Sequence, residues 1–300
     1  MLRAVLRILM TAFLGIAPLA CGGDDDGSIS ATVTRSERSW IDASRNLPRT
    51  PVREIRVLLW DPGLRQALPL LVLAHGFGGL PEKFDAFART VAEGGFLVAA
   101  PAFPLTNENA PGGHERGFLD NVNQPGDISF FLDRILEANE EPTDPLFSRV
   151  DPRRIALLGH SLGGLTALAA TRKECCLEPR IDAAILVAPL PDFGNQFGSD
   201  SISDGPPTLI IHGEADPTIP FQSSLDLYAQ FQPPKFLMGL AGAGHSEALE
   251  SQVTPALPAR HATEVATIAF LRAQFHSDID AFETELDELT DAGHLVERDS

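Results

Sequence analysis

Residues 159–163, with the sequence Gly-His-Ser-Leu-Gly, limit what this chain can fold into more than any other feature. They follow an apolar run at 155–158 and precede small and apolar residues at 164–170. This order predicts a β-strand, a sharp turn and then an α-helix. Glycine at both ends allows a turn so tight that a β-carbon would collide with the neighbouring strand or helix. We therefore predict that Ser161 holds its hydroxyl exposed at the end of the sheet, in a strained backbone conformation.

Apolar runs typical of strands alternate with helical periodicity along the rest of the chain. The predicted strands lie at 36–41, 53–60, 68–74, 96–100, 155–158, 181–190, 208–211 and 236–240. The predicted helices lie near 84–92, 128–136, 164–170, 221–231 and 259–275. Residues 101–125 are predicted to be a long irregular loop. This alternation predicts an α/β fold with a mainly parallel, doubly wound sheet of about eight strands and flanking helices.

We expect one folded domain at 31–276, because no repeat or internal linker divides this part of the chain. Residues 277–300 are rich in Asp and Glu, and we separate them as an acidic C-terminal tail. Apolar residues recur in this tail at roughly helical spacing. The tail is therefore either an appended amphipathic helix or a frayed acidic segment.

The N-terminus has the pattern of a targeting segment. Residues 1–20 combine two arginines near the start, an apolar stretch at 8–17 and small residues before Cys21, which predicts a signal peptide. The residues before Cys21 resemble the lipobox of bacterial lipoproteins, although Pro18 departs from the usual leucine. We expect export from a bacterial cell, as a periplasmic or cell-surface lipoprotein lipidated on Cys21, or as a secreted protein. Residues 21–30 would then form a flexible tether, and the mass of the mature N-terminal peptide would distinguish these alternatives.

The formal net charge of −18 argues against a nucleic-acid partner, because phosphate binding needs clustered lysine and arginine. Solubility of an exported protein accounts for such a charge. We expect a monomer whose only contact with a membrane is the N-terminal lipid anchor.

The chain has three cysteines, and apart from Cys21 these are Cys175 and Cys176. Because they are neighbours, they form either a vicinal disulfide or a pair of reduced thiols at a helix end. No metal-ligand spacing accompanies them. Glycine patterns that bind nucleotides are also missing from the sequence, so we expect neither a metal nor another cofactor.

A serine nucleophile needs a base to take its proton and an acid to orient that base. In the α/β-hydrolase fold these follow the serine in the order Asp or Glu, then His. Asp216 lies in the loop after the strand at 208–211, and we favour it over Glu214, which is nearer to the strand end. His245 follows the small residues 241–244 beyond the strand at 236–240, in a loop suited to carry an imidazole over the sheet. His75 and His160 lie within the turn motifs, where we expect a packing or hydrogen-bonding role, and His212 lies at a strand end behind the site. No motif surrounds the remaining histidines.

The negative oxygen that forms during acyl transfer needs backbone donors. In this fold they are the N–H after the nucleophile and an N–H from the loop after the third strand. Here these are the N–H groups of Leu162 and of Phe77, within the glycine-rich segment 75–79. We assign both N–H groups to an oxyanion hole. The alternative for Phe77 is that the segment 75–79 is only a glycine-rich turn and that its N–H groups have no donor role.

Together these segments resemble the α/β-hydrolases that include bacterial dienelactone-hydrolase-like, chlorophyllase-like and platelet-activating-factor-acetylhydrolase-like proteins, and more distantly the cutinase-type polyester hydrolases. The resemblance is carried by residues 75–79, 159–164, 213–216 and 244–245, and their order extends it over roughly residues 50–275. It implies the α/β-hydrolase fold and a serine esterase of EC 3.1.1 type, with Ser161, Asp216 and His245 as the triad. Dienelactone hydrolases proper use a cysteine nucleophile, so their substrate is not transferred to this chain.

The interval at 191–207, between the strand at 181–190 and the acid-bearing strand, is short and rich in Gly, Asp and Ser. We therefore expect a short lid region and an open site. An open site favours small-molecule esters with short or medium acyl chains, or a polymeric ester. The residues predicted to line the cleft are Phe77, Phe103, Leu105 and Ile219, with core packing as the alternative for each.

Other functions of the same fold remain open at this point. A thioesterase or a peptidase would use the same triad. A non-catalytic surface binding protein that kept the fold is disfavoured because all three triad members are in place. A covalent serine probe separates the last case, since a binding protein would leave Ser161 unlabelled.

Overall fold

The computed structural model describes residues 32–45, 52–198, 202–250 and 257–299. The strands in these residues form one central β-sheet. The predicted signal peptide at 1–20, the lipidated Cys21 and the tether at 21–30 lie outside the described residues. These three features stay predictions from the sequence.

The described residues form nine strands. They are β1 (Thr34–Ile41), β2 (Glu54–Asp61), β3 (Leu68–Ala74), β4 (Leu97–Ala102), β5 (Val150–His160), β6 (Ala183–Val187), β7 (Thr208–Gly213), β8 (Lys235–Leu240) and β9 (Leu295–Asp299). Their order across the sheet is β1-β2-β4-β3-β5-β6-β7-β8-β9. From β4 to β8 in this order neighbours run parallel, whereas β2 is antiparallel to β1 and β4, and β9 is antiparallel to β8. The predicted mainly parallel sheet with flanking helices is confirmed.

Helices cover both faces of this sheet. They are α1 (Asp85–Glu93), α2 (Gln124–Glu140), α3 (Leu162–Arg172), α4 (Gln222–Gln230), α5 (Leu257–His276) and α6 (Ile279–Asp291). Strand β3 shows why two covered faces follow from the sequence. Its Leu71 and Leu73 pack in a cluster with α1, α5 and α6, while Leu70 and Val72 pack in a cluster with α2 and α3. Successive side chains point to opposite faces, so a continuously apolar strand must be covered on both. None of the described helices is both long and apolar enough to cross a membrane.

The C-terminal segment belongs to the folded unit, which spans 31–300. Of the two alternatives for it, the amphipathic helix is present as α6. The rings of Phe282 and Phe236 lie 4.9 Å apart, and Leu286 is fully buried. The chain then adds β9 to the sheet beside β8. The prediction of a separate tail at 277–300 is therefore corrected, because α6 and β9 are part of the folded unit. Strand β9 brings the described sheet to nine strands, whereas about eight were predicted. Strand β9 is polar and mostly exposed, so its sequence carries no core pattern.

The predicted loop at 101–125 is partly ordered into regular structure. Strand β4 continues to Ala102, and a 3-10 helix at His114–Asn123 leads directly into α2. This 3-10 helix places His114 and Phe118 beside the turn that follows β3. The segment therefore borders the site described below.

Cys175 and Cys176 form a vicinal disulfide just after α3. This is the first of the two alternatives that the sequence left open. Because the two residues are neighbours in the chain, the bond closes no loop between elements of the fold.

Candidate active site

Ser161 lies at the turn between β5 and α3, with φ 56° and ψ −116°. A β-carbon on Gly159 would lie 2.0 Å from the carbonyl oxygen of Gly163, and one on Gly163 would lie 2.1 Å from that of Ala74. Any larger residue at either position would collide with backbone. The strand, turn and helix expected from the sequence are present, and Ser161 has the strained backbone conformation that was expected of it.

A continuous chain of hydrogen bonds joins the three residues predicted as the triad. Ser161 Oγ lies 2.9 Å from Nε2 of His245, and Nδ1 of His245 lies 2.6 Å from Oδ2 of Asp216. An ionised carboxylate only accepts hydrogen bonds, so Nδ1 carries the proton and Nε2 is left to accept from the serine hydroxyl. The Asp216 side chain is fully buried, whereas the His245 side chain is 17% exposed. This arrangement can remove the proton of Ser161.

Asp216 is held in its ionised form by the loop that carries it. Its Oδ1 accepts the backbone N–H of Thr218 at 2.7 Å and that of Ile219 at 2.9 Å. Burial raises the pKa of Asp216, but hydrogen bonds led by those from the Ile219 N–H and the His245 imidazole outweigh it, so this pKa lies below its ordinary value. The rival acid, Glu214, is exposed, and the structure brings Asp216 rather than Glu214 to His245.

Two further histidines orient the triad. His212 Nε2 lies 3.2 Å from Asp216 Oδ2 and 3.0 Å from the Ile219 carbonyl oxygen, so it donates to this acceptor pair. His160 Nε2 donates to the carbonyl oxygen of His245 at 2.9 Å and so holds the backbone of the histidine loop. The sequence predicts a packing or hydrogen-bonding role for His160 and a place behind the site for His212, but it does not identify the partners of either residue. The only signal in the sequence was their position within or next to the motifs.

The turn at 75–79 lies directly against the serine. A β-carbon on Gly76 would lie 3.0 Å from Cβ of Ser161. Within the described residues, neither the Phe77 N–H nor the Leu162 N–H donates to another backbone or side-chain acceptor. Leu162 is the first residue of α3, where the N–H groups have no acceptor within the helix and attract negative charge. The structure therefore leaves two backbone donors available on the segments that flank Ser161.

The Phe77 ring packs with two other aromatic side chains beside the turn at 75–79. Phe77 is 38% exposed, and its ring lies 4.9 Å from the ring of His114 and 5.3 Å from that of Phe118. These three side chains form an aromatic wall, and two of them were not predicted. Their approach depends on the 3-10 helix at His114–Asn123, which the loop prediction did not contain.

Two of the predicted cleft residues are buried instead. Phe103 is fully buried, packs 5.0 Å from the ring of His75 and donates its N–H to His75 Nε2 at 3.0 Å. Ile219 is 3% exposed and serves the acid loop through its N–H and its carbonyl oxygen. The prediction that these two residues line the cleft is therefore corrected in favour of packing. Leu105 is half-buried.

The segment between β6 and β7 is the predicted lid region. Its described parts, 188–198 and 202–207, contain turns and no helix or strand. The start of the segment is fastened to the serine turn, because Ser161 donates its N–H to the Val187 carbonyl oxygen and accepts the N–H of Leu190, both at 2.9 Å. The described parts therefore place no regular element over the site.

The part of the chain that the structure describes holds no group of three or more His, Cys, Asp and Glu side chains arranged to bind a metal ion. The ionisable side chains of the site hydrogen-bond to one another or to the backbone.

Stability should fall as the pH is lowered from 7 to 5. Burial lowers the pKa of His75 and of His160 to about 4, whereas an unfolded histidine titrates near 6.5. Between these values the unfolded chain binds protons that the native chain does not, so protonation favours unfolding. The free energy of unfolding should therefore fall by about 2 kcal/mol for each of these histidines between pH 7 and pH 5. Urea unfolding at both pH values measures this, and equal free energies of unfolding would contradict the neutral buried state.

The sequence model of the alpha/beta hydrolase family matches residues 71–298, a range that holds Ser161, Asp216 and His245. No curated protein matches the chain. The family match does not separate the dienelactone-hydrolase-like, chlorophyllase-like and cutinase-like groups, so the finer resemblance stays a prediction. The match covers far more than half of the chain and agrees with the sheet order and the turn around Ser161. This chain therefore belongs to the alpha/beta hydrolase family, and that membership supports hydrolase activity.

Proposed function

We propose that this protein is a serine esterase, exported as its N-terminal sequence predicts, that cleaves carboxylic esters through an acyl-enzyme on Ser161. The observation that carries the proposal is the unbroken chain of hydrogen bonds from Ser161 Oγ through His245 to the buried Asp216. The same three groups at hydrogen-bonding distance perform acyl transfer on several unrelated folds.

In the first half of the proposed reaction, Ser161 Oγ attacks the carbonyl carbon of the ester while His245 Nε2 takes the hydroxyl proton. The electron pair of the carbonyl moves to its oxygen, which the N–H groups of Phe77 and Leu162 stabilise. When the tetrahedral intermediate collapses, the bond to the alcohol oxygen breaks and His245 gives that oxygen its proton. Asp216 stabilises the imidazolium that forms in between.

In the second half, water replaces the alcohol. His245 takes a proton from the water, whose oxygen attacks the acyl carbon, and the same two N–H groups receive the negative charge. The bond from the acyl carbon to Ser161 Oγ then breaks, and the proton on His245 returns to that oxygen. The free acid leaves, and the hydrogen-bonded triad is restored.

The surroundings of Ser161 favour small acyl groups. The described parts of the segment between β6 and β7 place no helix over the site, and Phe77 of the aromatic wall directly follows Gly76, which lies against Ser161. A long acyl chain needs an enclosed apolar channel, because its binding depends on the apolar area removed from water. Short and medium acyl esters, or a polyester chain that lies across an open site, suit this arrangement better.

The test is hydrolysis of p-nitrophenyl esters from acetate to dodecanoate by the purified protein. We expect kcat/KM to peak at the short esters and to decline towards dodecanoate, because the open site removes little of a long chain from water. A peak at the long esters would contradict the open site. No turnover of any ester, while a fluorophosphonate still labels Ser161, would instead favour a thioester or peptide substrate.

A further inference from the structure

Gln124 is a fully buried amide at the start of α2, and both ends of it are bonded. Its Nε2 lies 2.6 Å from Oγ1 of Thr106, and its Oε1 accepts from Oγ1 of Thr166. Both threonines are also fully buried. An amide removed from water is costly unless both of its ends find partners, so this position is specified by polar contacts and not by apolar packing.

The Thr106 end leads to the turn that follows β3. The Thr106 carbonyl oxygen accepts the N–H of Gly78 at 2.8 Å, and the N–H of Glu108 donates to the Gly79 carbonyl oxygen at 3.2 Å. The backbone at 106–108 therefore holds the turn through these two hydrogen bonds. Gly78 directly follows Phe77, whose N–H is one of the two proposed oxyanion donors.

The Thr166 end leads to the first turn of α3. Thr166 Oγ1 lies 3.1 Å from the carbonyl oxygen of Leu162, one helical turn earlier. The single hydroxyl proton of Thr166 serves either this oxygen or Gln124 Oε1, and in the other orientation of the amide Gln124 Nε2 donates to Thr166 while Thr166 donates to Leu162. The Leu162 N–H is the second proposed oxyanion donor. Gln124 thus joins, through one threonine on each side, the two backbone segments that carry these donors.

We propose that Gln124 is a positioning residue that sets the separation of the Phe77 and Leu162 N–H groups. The inference rests on the proposed esterase function, since it concerns the oxyanion hole of that reaction. We call the hydrogen-bonded link Thr106–Gln124–Thr166 the tie. Hydroxyl groups both donate and accept, so the tie forms in either orientation of the Gln124 amide. Backbone donors stabilise an oxyanion only when they are held at hydrogen-bonding distance from it, and small displacements cost large factors in rate.

The prediction is specific to one part of the reaction. The Gln124 side chain has its bonds with Thr106 and Thr166, whereas the proton path consists of Ser161, His245 and Asp216. Loss of the tie should therefore weaken oxyanion stabilisation and leave the pH dependence of kcat/KM unchanged. A purely structural role would show itself in the unfolding midpoint and not in this selective pattern.

The experiment compares Gln124→Met, which keeps the length of the side chain without its hydrogen bonds, with the wild-type protein. We expect kcat/KM for p-nitrophenyl acetate to fall about 10- to 100-fold through kcat, with KM within about twofold. The affinity for an aryl trifluoromethyl ketone should fall by the same factor. This ketone accepts Ser161 Oγ at its carbonyl carbon, its oxygen becomes the oxyanion, and the serine proton passes to His245.

Asn121→Leu is the matched control. Asn121 is a fully buried amide in the preceding 3-10 helix, and its Nδ2 and Oδ1 have no hydrogen-bond partner among the described residues. The Asn121→Leu substitution should change kcat/KM by less than about threefold. Thr166→Val removes the second part of the tie with little change of shape. Adding it to Gln124→Met should therefore cost little more than either substitution alone.

A Gln124→Met protein within threefold of wild type in kcat/KM would overturn the proposal. The proposal would also be overturned if Gln124→Met lost kcat/KM but kept its affinity for the ketone. The same holds if Asn121→Leu lost as much kcat/KM as Gln124→Met. If Gln124→Met does not fold, Thr166→Val decides by the same two measurements. If the wild-type protein cleaves no ester, the proposed function fails separately. The positioning role is then tested by the rate at which a fluorophosphonate labels Ser161, which should fall 10- to 100-fold in Gln124→Met.

Discussion

Ser161→Ala should lower kcat/KM for p-nitrophenyl acetate by roughly 10⁴- to 10⁶-fold. In the proposed reaction the hydroxyl oxygen of Ser161 forms the acyl-enzyme, and Ser161→Ala removes that oxygen. What remains is the contribution of the oxyanion donors and of substrate binding to attack by water. Single-turnover and steady-state kinetics on the purified variant measure the loss.

The control for this substitution is Ser223→Ala at the start of α4. The Ser223 hydroxyl is exposed and donates to the Pro220 carbonyl oxygen, so it should change kcat/KM less than about twofold. Ser161→Ala should also keep the unfolding midpoint of the wild-type protein, because alanine at this turn meets the same backbone conformation as serine. Turnover of Ser161→Ala above one hundredth of the wild-type value would mean that another group is the nucleophile.

Asp216→Asn should be the second most damaging change, with a loss of roughly 10³- to 10⁴-fold in kcat. An amide can donate to Nδ1 of His245, which favours the imidazole tautomer whose Nε2 carries a proton and cannot accept one from Ser161. The neutral amide also gives no stabilisation to the imidazolium. The loss should appear in kcat more than in KM, since the acid makes no contact with the ester in the proposed reaction.

Glu214→Gln is the paired variant that tests which carboxylate is the acid. Glu214 lies two residues before Asp216 and is exposed, so we expect its kcat to stay within about threefold of wild type. The opposite result, an inactive Glu214→Gln beside an active Asp216→Asn, would assign the acid to Glu214. Equal small losses in both would mean that neither carboxylate orients His245.

The local parts of this site could be predicted because they depend on residues close together in the chain. Gly159 and Gly163 leave space for a turn that their own neighbours create, so the motif predicts the conformation of Ser161 without knowledge of the rest of the fold. The apolar run of β3 likewise predicts a strand covered on both faces, because side chains alternate along it. Asp216 and His245 were placed by the loops that follow two such strands.

Other features depend on which distant segments come together. Phe103 and Ile219 look like cleft residues in the sequence, but their surroundings are made by His75 and by the acid loop, and both are buried. Strand β9 has no core pattern and is a strand only because β8 offers it an edge.

The serine turn, the run of buried strands and the segments that carry the proposed acid and base could be predicted from the sequence, since steric limits and side-chain alternation act within a few residues. The tertiary structure brings Asp216, which the sequence favours over Glu214, to His245, and it shows the contacts of His160 and His212 with these residues. It also decided that Gln124 lies between Thr106 and Thr166. The physical reason is that a hydrogen bond needs its two atoms within about 3 Å, and that distance is set by packing between segments far apart in the chain.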